Sequence, residues 1–172
     1  MTKRVFRSIF LASLAVLLAA VVLILGALYT YFSDVQAEQL RLQTALVAHA
    51  LETEGVSYFD DLDTSDRRIT WIAADGTVLY DSRSDSGVME NHLEREEVKT
   101  ALATGSGTSF RYSDTLMERY IYTAQRLSDG TVLRLSAAQN TVPHLVLGVV
   151  KPIILVIGIA VALSALLAGQ LT

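Results

Sequence analysis

The chain of 172 residues contains no cysteine. It therefore has no disulfide, no thiolate nucleophile and no Cys ligand for a metal. It also lacks a phosphate-binding glycine loop, a Ser-His-Asp arrangement with supporting context, and a pair of His residues at metal-ligand spacing. The sequence therefore predicts no catalytic residue, no bound metal and no cofactor in this chain.

Charged residues are almost absent from two long stretches. Residues 9–31 carry no charge, and residues 146–169 contain only Lys151. Roughly 20 apolar residues are needed for a helix to cross a bilayer, and a helix satisfies its backbone polar groups internally. We predict that both stretches are transmembrane helices. They would enclose an extramembrane domain at residues 32–145, with residues 1–8 and 170–172 on the other side of the membrane.

Basic residues beside the first stretch indicate its orientation. Lys3, Arg4 and Arg7 precede it without an acidic residue among them, which predicts a cytoplasmic N-terminus and an extracytoplasmic middle segment. A cleaved signal peptide has a similar pattern, with a weak cleavage site at residues 35–37. The apolar part of a signal peptide is only about 7 to 15 residues long, so an uncleaved anchor fits the longer stretch better.

The middle segment is acidic. It holds all 18 Asp and Glu residues but ten of the 14 Lys and Arg residues, which gives a net charge of −8. This balance excludes nucleic acid as a partner and makes the domain a poor docking surface for anionic lipid. The bilayer around the two apolar stretches is the partner that the composition predicts.

The apolar period of the middle segment predicts its secondary structure. Apolar residues at helical spacing predict that the first helix continues as a stalk to about Glu54. Five β-rich stretches follow at residues 68–73, 77–81, 108–112, 119–127 and 131–137. Glycine-containing hairpin turns are predicted at 74–76 and 128–130, and a short amphipathic helix at 94–104.

This order predicts an α+β fold in which helices cover the faces of a five-stranded antiparallel sheet. A domain of about a hundred residues can bury a sufficient core without disulfides. We expect that core to contain the apolar residues of the strands and of the short helix, namely Ile69, Trp71, Val78, Leu79, Val98, Leu102, Ile121, Leu133 and Leu135.

Five short sequence segments resemble those of a known class of domain. They are RITWI (68–72), DGTVLYDS (75–82), MENH (89–92), EVKTALATG (97–105) and RYS (111–113). With this order of elements, the chain resembles the extracytoplasmic Cache (PAS-like) sensor of bacterial receptors. More narrowly, it is similar to the N-terminal transmembrane region of phosphate-regulon-type sensor histidine kinases.

The resemblance implies a receptor in a bacterial cell membrane. Such receptors are homodimers, joined here through the membrane helices and the stalk, and continue into a HAMP linker, a phosphoacceptor helix and a kinase domain. We therefore expect a truncated chain whose ATP, Mg²⁺ and response-regulator sites lie in the missing part. The same outer architecture also serves chemoreceptors and diguanylate cyclases. A membrane scaffold without a ligand is the alternative from another class.

Five residues form the candidate ligand site. In Cache-like sensors the loop after the second strand walls the pocket, which implies that His92 and Arg95 contact an anion such as a carboxylate. Arg111, Tyr120 and Tyr122 share strand parity that suits a pocket lined by a few polar groups. The alternatives are that Asn91 or His92 caps the helix while Arg95 pairs with acidic neighbours, and that the strands form an ordinary half-exposed face.

The remaining polar clusters favour structural roles. Clustered carboxylates at residues 60–66 are of the type that binds Ca²⁺ or Mg²⁺, but the run lacks the glycine and the distal Glu of an EF-hand loop. A solvated loop is therefore the favoured interpretation. His49 and His144 have no partners at suitable spacing, and we expect them to be structural.

Overall fold

The computed structural model describes residues 2–59, 64, 66–113, 118–139 and 141–170, and the side chains of residues 7–59, 64, 66–112, 119–139 and 147–164 among them. The chain divides into two compact units. One comprises Met1–Ser33 with Thr141–Thr172, and the other is Asp34–Asn140.

The first unit contains the two apolar stretches. Helix α1 runs over Thr2–Glu54 and the last helix, α3, over Thr141–Gln170. Each is long and apolar enough to cross a bilayer, and the most apolar window of each lies unburied in the structure. These two helices are therefore candidate membrane spans by length and composition.

The second unit is built on one antiparallel sheet of five strands. In chain order the strands are β1 (Arg68–Ile72), β2 (Val78–Asp81), β3 (Ser106–Ser113), β4 (Glu118–Arg126) and β5 (Val132–Ala138), and helix α2 (Glu96–Thr104) lies between β2 and β3. The strand order across the sheet is β2-β1-β5-β4-β3. The predicted α+β class, with a long N-terminal helix and a five-stranded antiparallel sheet, is confirmed.

Glycines form the two predicted hairpin turns. Gly76 (φ 88°) lies between β1 and β2, and Gly130 (φ 85°) lies between β4 and β5. Each glycine N–H donates to the carbonyl of the residue three positions earlier, Ala73 and Leu127 respectively. A positive φ is unfavourable for residues with a Cβ, so glycine suits both turns.

One face of the sheet packs against the stalk part of α1 and forms the larger core. This face is apolar because successive side chains of a strand point to opposite sides, which separates Leu133 and Leu135 from Arg134. The Thr44 hydroxyl of α1 also hydrogen-bonds the Thr123 hydroxyl of β4 within this layer. The buried core residues are Leu40, Val47, Ala48, Leu51, Phe59, Ile69, Ile121, Leu127, Leu133 and Leu135.

Helix α2 covers part of the opposite face. Val98 and Ala101 pack there against Ile72, Ala124 and Val132, and all five are buried. The helix lies so close to β3 that Gly107 has no room for a side chain, since a Cβ would collide with the backbone carbonyl of Glu97. This close approach fixes the position of the first turn of α2.

Six of the nine predicted core residues are buried, namely Ile69, Val78, Val98, Ile121, Leu133 and Leu135. Leu79 is 44% exposed, so its prediction was wrong. The pairing of β1 with β2 shifts register here, since Trp71 pairs with Tyr80 and Ile72 with Val78. Leu79 thus has no partner in β1, and its side chain is left uncovered on the edge strand. Trp71 and Leu102 are only half-buried, and the Trp71 indole N–H donates to Thr131 Oγ1 at 2.9 Å.

Leu133→Ala should destabilise the domain, and Leu79→Ala is its matched control. Truncating a fully buried Leu typically costs about 2 to 5 kcal/mol, whereas surface changes usually stay within about 0.5 kcal/mol. We expect chemical denaturation of a soluble segment of residues 34–142 to show this difference in the free energy of unfolding. Equal effects of the two substitutions would contradict the assigned core.

Candidate functional site

The face of the sheet that carries α2 is polar where the helix does not cover it. Strand pairing aligns Thr70 with both Arg134 and Asp81, and aligns Tyr122 with Ser136 and Ser109. Side chains on paired positions point to the same side of a sheet. The resulting polar face consists of Arg68, Thr70, Asp81, Ser109, Arg111, Tyr120, Tyr122, Arg134 and Ser136.

The loop between β2 and α2 borders this face, and hydrogen bonds near its two ends connect it to β2 and to the turn before β2. At its start, the backbone N–H groups of Arg83 and Ser84 donate to Asp81 Oδ1 at 2.9 and 3.0 Å. Near its end, the His92 N–H donates to the Gly76 carbonyl at 2.8 Å. Asn91 donates from Nδ2 to the Asp75 carbonyl at 2.9 Å. These contacts hold His92 over the polar face.

A cavity of about 240 Å³ lies between the loop and the polar face. Its lining residues are Arg68, Met89, Glu90, His92, Arg95, Arg111, Tyr122 and Arg134. Four of the five predicted site residues are thus brought together at this cavity: His92, Arg95, Arg111 and Tyr122. Tyr120 instead lines a second cavity of about 280 Å³, which shares Arg68 and Tyr122 with the first. The binding role of these residues remains a prediction.

Glu97, on α2, is the acidic residue at the centre of the polar face. Its side chain is fully buried, Oε2 accepts a hydrogen bond from Ser109 Oγ at 2.6 Å, and Oε1 forms an ion pair with Arg111. Arg134 Nη1 lies 3.5 Å from the same oxygen. Burial alone would raise the pKa of Glu97, but the hydrogen bond from Ser109 and the charges of both arginines bring that pKa below its usual 4.5.

A second buried carboxylate, Asp81, pairs with Arg68. Arg68 Nε lies 3.0 and 2.9 Å from the two Asp81 oxygens, and Thr70 Oγ1 donates to Oδ2 at 2.9 Å. Thr70 in turn accepts a hydrogen bond from Arg134 Nη2 at 3.0 Å. Burial raises the pKa of Asp81, but hydrogen bonds from Arg68, the Arg83 N–H and Thr70 outweigh it and lower the pKa below 3.8.

Cations at the cavity retain unused hydrogen-bond donors. The buried Nε–H groups of Arg111 and Arg134 have no partner in the described part of the chain. The Arg95 guanidinium, on the loop, likewise makes no hydrogen bond or ion pair with any residue that the structure describes. The Arg111 guanidinium stacks 3.9 Å above the Tyr122 ring, and that of Arg134 lies 5.5 Å from it. The aromatic ring thus holds two cations close together.

Arg134 is the most deeply buried of these cations, with 3% of its surface exposed. Burial lowers its pKa to about 10, because the nearby Arg111 and Arg68 charges add to desolvation and Glu97 compensates only in part. Arg134 therefore stays protonated at neutral pH. A buried guanidinium with an unpartnered Nε–H is poorly solvated, and it favours an additional anion.

His92 lies at the cavity wall, where its surroundings favour the neutral ring. Its ring is buried, and Nδ1 lies 2.7 Å from the Glu90 carbonyl. A carbonyl can only accept, so Nδ1 carries the proton and Nε2 is left as an acceptor. Burial lowers the pKa of His92 from 6.5, and the charges of Arg134, Arg95 and Arg68 lower it further.

One alternative that the sequence left open, a helix cap at Asn91 or His92 with Arg95 paired to acidic neighbours, does not apply. The N-cap of α2 is Arg95, without a side-chain cap bond, so neither Asn91 nor His92 caps the helix. Asn91 Oδ1 instead accepts a hydrogen bond from the Leu93 N–H at 2.8 Å, in the turn that precedes the helix. Arg95 also does not pair with a described acidic neighbour, whereas Lys99 pairs with Glu94.

Sequence reasoning missed four charged residues of this face: Arg68, Asp81, Glu97 and Arg134. One signal was present, since Arg134 interrupts the apolar alternation of β5 at a parity opposite to Leu133 and Leu135. A charged residue in the middle of a central strand is rarely buried without a partner. Pairing Arg134 with Glu97, 37 positions earlier, needed the register of the sheet.

The described residues of the remaining predicted clusters contribute no site. Residues 60–63 and 65 of the acidic run lie outside the described residues, and the described residues hold no group of three metal-ligating side chains. The His144 side chain also lies outside the described ones. His49 is exposed on α1.

No protein-family model matches this chain, and no curated protein matches it. Among solved structures, the chain is similar to the extracellular domain of rpHK1S-Z16, which is described as a histidine kinase. The match has 14% sequence identity and a TM-score of 0.39, and it covers 50% of this chain and 36% of that chain.

Acid should destabilise the domain through the two buried carboxylates. Asp81 and Glu97 have pKa values below their usual 3.8 and 4.5 in the folded state, so the unfolded chain binds more protons as the pH falls through this range. We expect the free energy of unfolding, measured with urea, to fall as the pH drops below about 4.5. Asp81→Asn removes one of these groups, so this variant should lose less stability over the same interval. Stability independent of pH there would contradict the ion pairs.

Proposed function

We propose that residues 32–145 form the input domain of a two-span bacterial membrane receptor and bind a small anion in the cavity beside α2. The observation that carries this proposal is the pair of buried, unpartnered Nε–H groups on Arg111 and Arg134. Leaving a buried donor unsatisfied costs about 1 to 3 kcal/mol. Arg111 and Arg134 both line the cavity, and we infer that a ligand there supplies the missing acceptors.

The charge of the cavity supports an anionic ligand. Four arginines line it, namely Arg68, Arg95, Arg111 and Arg134, while Asp81 and Glu97 are the carboxylates buried beside them. Glu90 adds one exposed carboxylate at the rim. Positive charge is therefore in excess even though the segment as a whole has a charge of −8. Opposite charge in a partly buried pocket favours binding.

The size and donor geometry favour a small carboxylate. Planar guanidinium groups match carboxylate oxygens, and each charge-assisted hydrogen bond contributes roughly 1.5 to 3 kcal/mol. A cavity of about 240 Å³ admits a metabolite of few heavy atoms. His92 adds a neutral ring whose protonation an adjacent anion would favour.

Connections at both ends of the domain support a role in signalling. Helix α1 is continuous from its apolar stretch into the stalk that forms the larger core. Strand β5, which carries Arg134, ends at Ala138, and α3 begins at Thr141. A ligand that binds two states of the domain unequally would shift the population of those states, and both candidate spans are joined directly to it.

The output belongs to the same proposal and rests on the resemblance. We propose that the receptor is a homodimeric sensor histidine kinase of the phosphate-regulon type, with a Cache-like outer domain. In that case the HAMP linker, the phosphoacceptor helix and the kinase domain that binds ATP and Mg²⁺ follow the second span. A response regulator would receive the phosphoryl group.

Arg111→Ala should weaken anion binding in a domain that is less stable but still folded, because Glu97 keeps its contacts with Arg134 and Ser109. The substitution removes one donor set and the cation stacked on Tyr122, so we expect at least about a tenfold loss of affinity in calorimetric titrations with small mono-, di- and tricarboxylates and inorganic phosphate. The matched control is Arg41→Ala, which removes an exposed arginine of α1 that pairs with Glu38. Equal affinities in both variants would contradict the assigned site.

Membrane topology is testable because the chain has no native cysteine. Val88, which is 79% exposed in the loop after β2, provides a labelling position in the domain, and Thr2 provides one at the N-terminus. We expect an impermeant thiol reagent to label Val88→Cys in intact cells and Thr2→Cys only after lysis. The reverse pattern would exclude an extracytoplasmic sensor.

A further inference from the structure

We propose that Glu97 is a built-in anion of the cavity that determines the charge of the ligand. This inference rests on the proposed function, because it concerns which anions the same cavity accepts. With Glu97 ionised, the four arginines face two buried carboxylates and the exposed Glu90 at the rim, which leaves an excess of about one positive charge for a ligand. Glu97 would thus select anions of low charge and disfavour anions of higher charge.

The position of Glu97 makes it a direct competitor of a bound anion. Its carboxylate is fully buried and pairs with Arg111 and Arg134, the two cations whose Nε–H groups are unpartnered. Glu97 uses terminal guanidinium nitrogens of both arginines. A ligand that accepts from the Nε–H groups would therefore share both cations with Glu97, and the two anions would repel each other across a short, poorly solvated distance.

Asp81 differs from Glu97 in this respect. It accepts hydrogen bonds from the backbone N–H groups of Arg83 and Ser84, so it fixes the start of the loop that walls the cavity. Its principal cation is Arg68, which it contacts with both oxygens. Glu97 accepts instead from side chains of β3 and β5 that line or support the cavity. Glu97 is therefore the buried carboxylate that shares Arg111 and Arg134 with a ligand.

Ligands of different charge distinguish charge selectivity by Glu97 from a merely structural role of this residue. Glu97→Gln keeps the size of the side chain and its hydrogen bond to Ser109 while removing one negative charge. The gain in affinity should therefore increase with the number of charges on the ligand, since repulsion scales with that number. A merely structural role would alter the affinities of all ligands alike.

The experiment is calorimetric titration of the full chain in detergent with acetate, succinate and tricarballylate at constant ionic strength and neutral pH. We expect the wild type to bind succinate better than tricarballylate. Glu97→Gln should bind tricarballylate about 5- to 150-fold more tightly than the wild type does, the range typical of coupling between two sites, with a smaller gain for acetate. Glu96→Gln is the matched control, because it removes the same charge from an exposed position in the same helical turn. Its affinities should stay within about twofold of the wild type.

Three results would overturn the inference. Equal changes for all three carboxylates in Glu97→Gln, or equal effects of Glu96→Gln and Glu97→Gln, would show that Glu97 does not set charge selectivity while leaving anion binding intact. Absence of binding of any carboxylate to the wild type would instead overturn the proposed function and this inference with it. If Glu97→Gln does not fold, Glu97→Met removes the same charge with an apolar side chain of similar length, and the same gain for tricarballylate is expected.

Discussion

The buried contacts of Glu97 with Arg111 and Arg134 are the interaction on which the rest of the domain depends. They connect the first turn of α2 to β3 and to β5, the central strand of the sheet. Buried ion pairs seldom add net stability over apolar packing, whereas removing one member of the pair is costly. The charged side chains lie on a face that α2 covers only in part, and two of their N–H donors have no partner in the described part of the chain. This arrangement agrees better with a binding role than with a purely structural one.

Alternate residues of the central strand face the larger core on one side of the sheet and the cavity on the other. Leu133 and Leu135 of β5 face α1 and form the larger core, while Arg134 between them faces the cavity. One strand thus contributes to both layers. Any rearrangement of α2 or of the loop around an anion would act on β5, which leads to α3, and the larger core would couple it to the stalk of α1. Anion binding could thus affect the candidate spans by two routes, one along the chain from β5 to α3 and one through the packed core to α1.

Sequence patterns within short windows predicted the architecture well. Site residues whose partners lie far away along the chain could not be predicted in this way. The change of apolar period, the glycine turns and the strand parity gave the α+β fold and placed Arg111 and Tyr122 on one face. His92 and Arg95 came from the resemblance. Glu97 was not recognised, because its partners lie on strands 12 to 37 positions later along the chain. Leu79 was wrongly assigned to the core, because the sequence of β2 does not reveal the register irregularity that leaves Leu79 without a partner in β1.

The most direct test of the account is nitrogen-15 NMR of the arginine Nε–H groups in the outer domain during titration with succinate. The account predicts that the Nε–H resonances of Arg111 and Arg134 move together and saturate, as both unpartnered donors acquire an acceptor. The Nε–H resonance of Arg41, on the exposed surface of α1, should stay in place. Saturable shifts elsewhere with no change at Arg111 and Arg134 would contradict the proposal that these two arginines form a binding site.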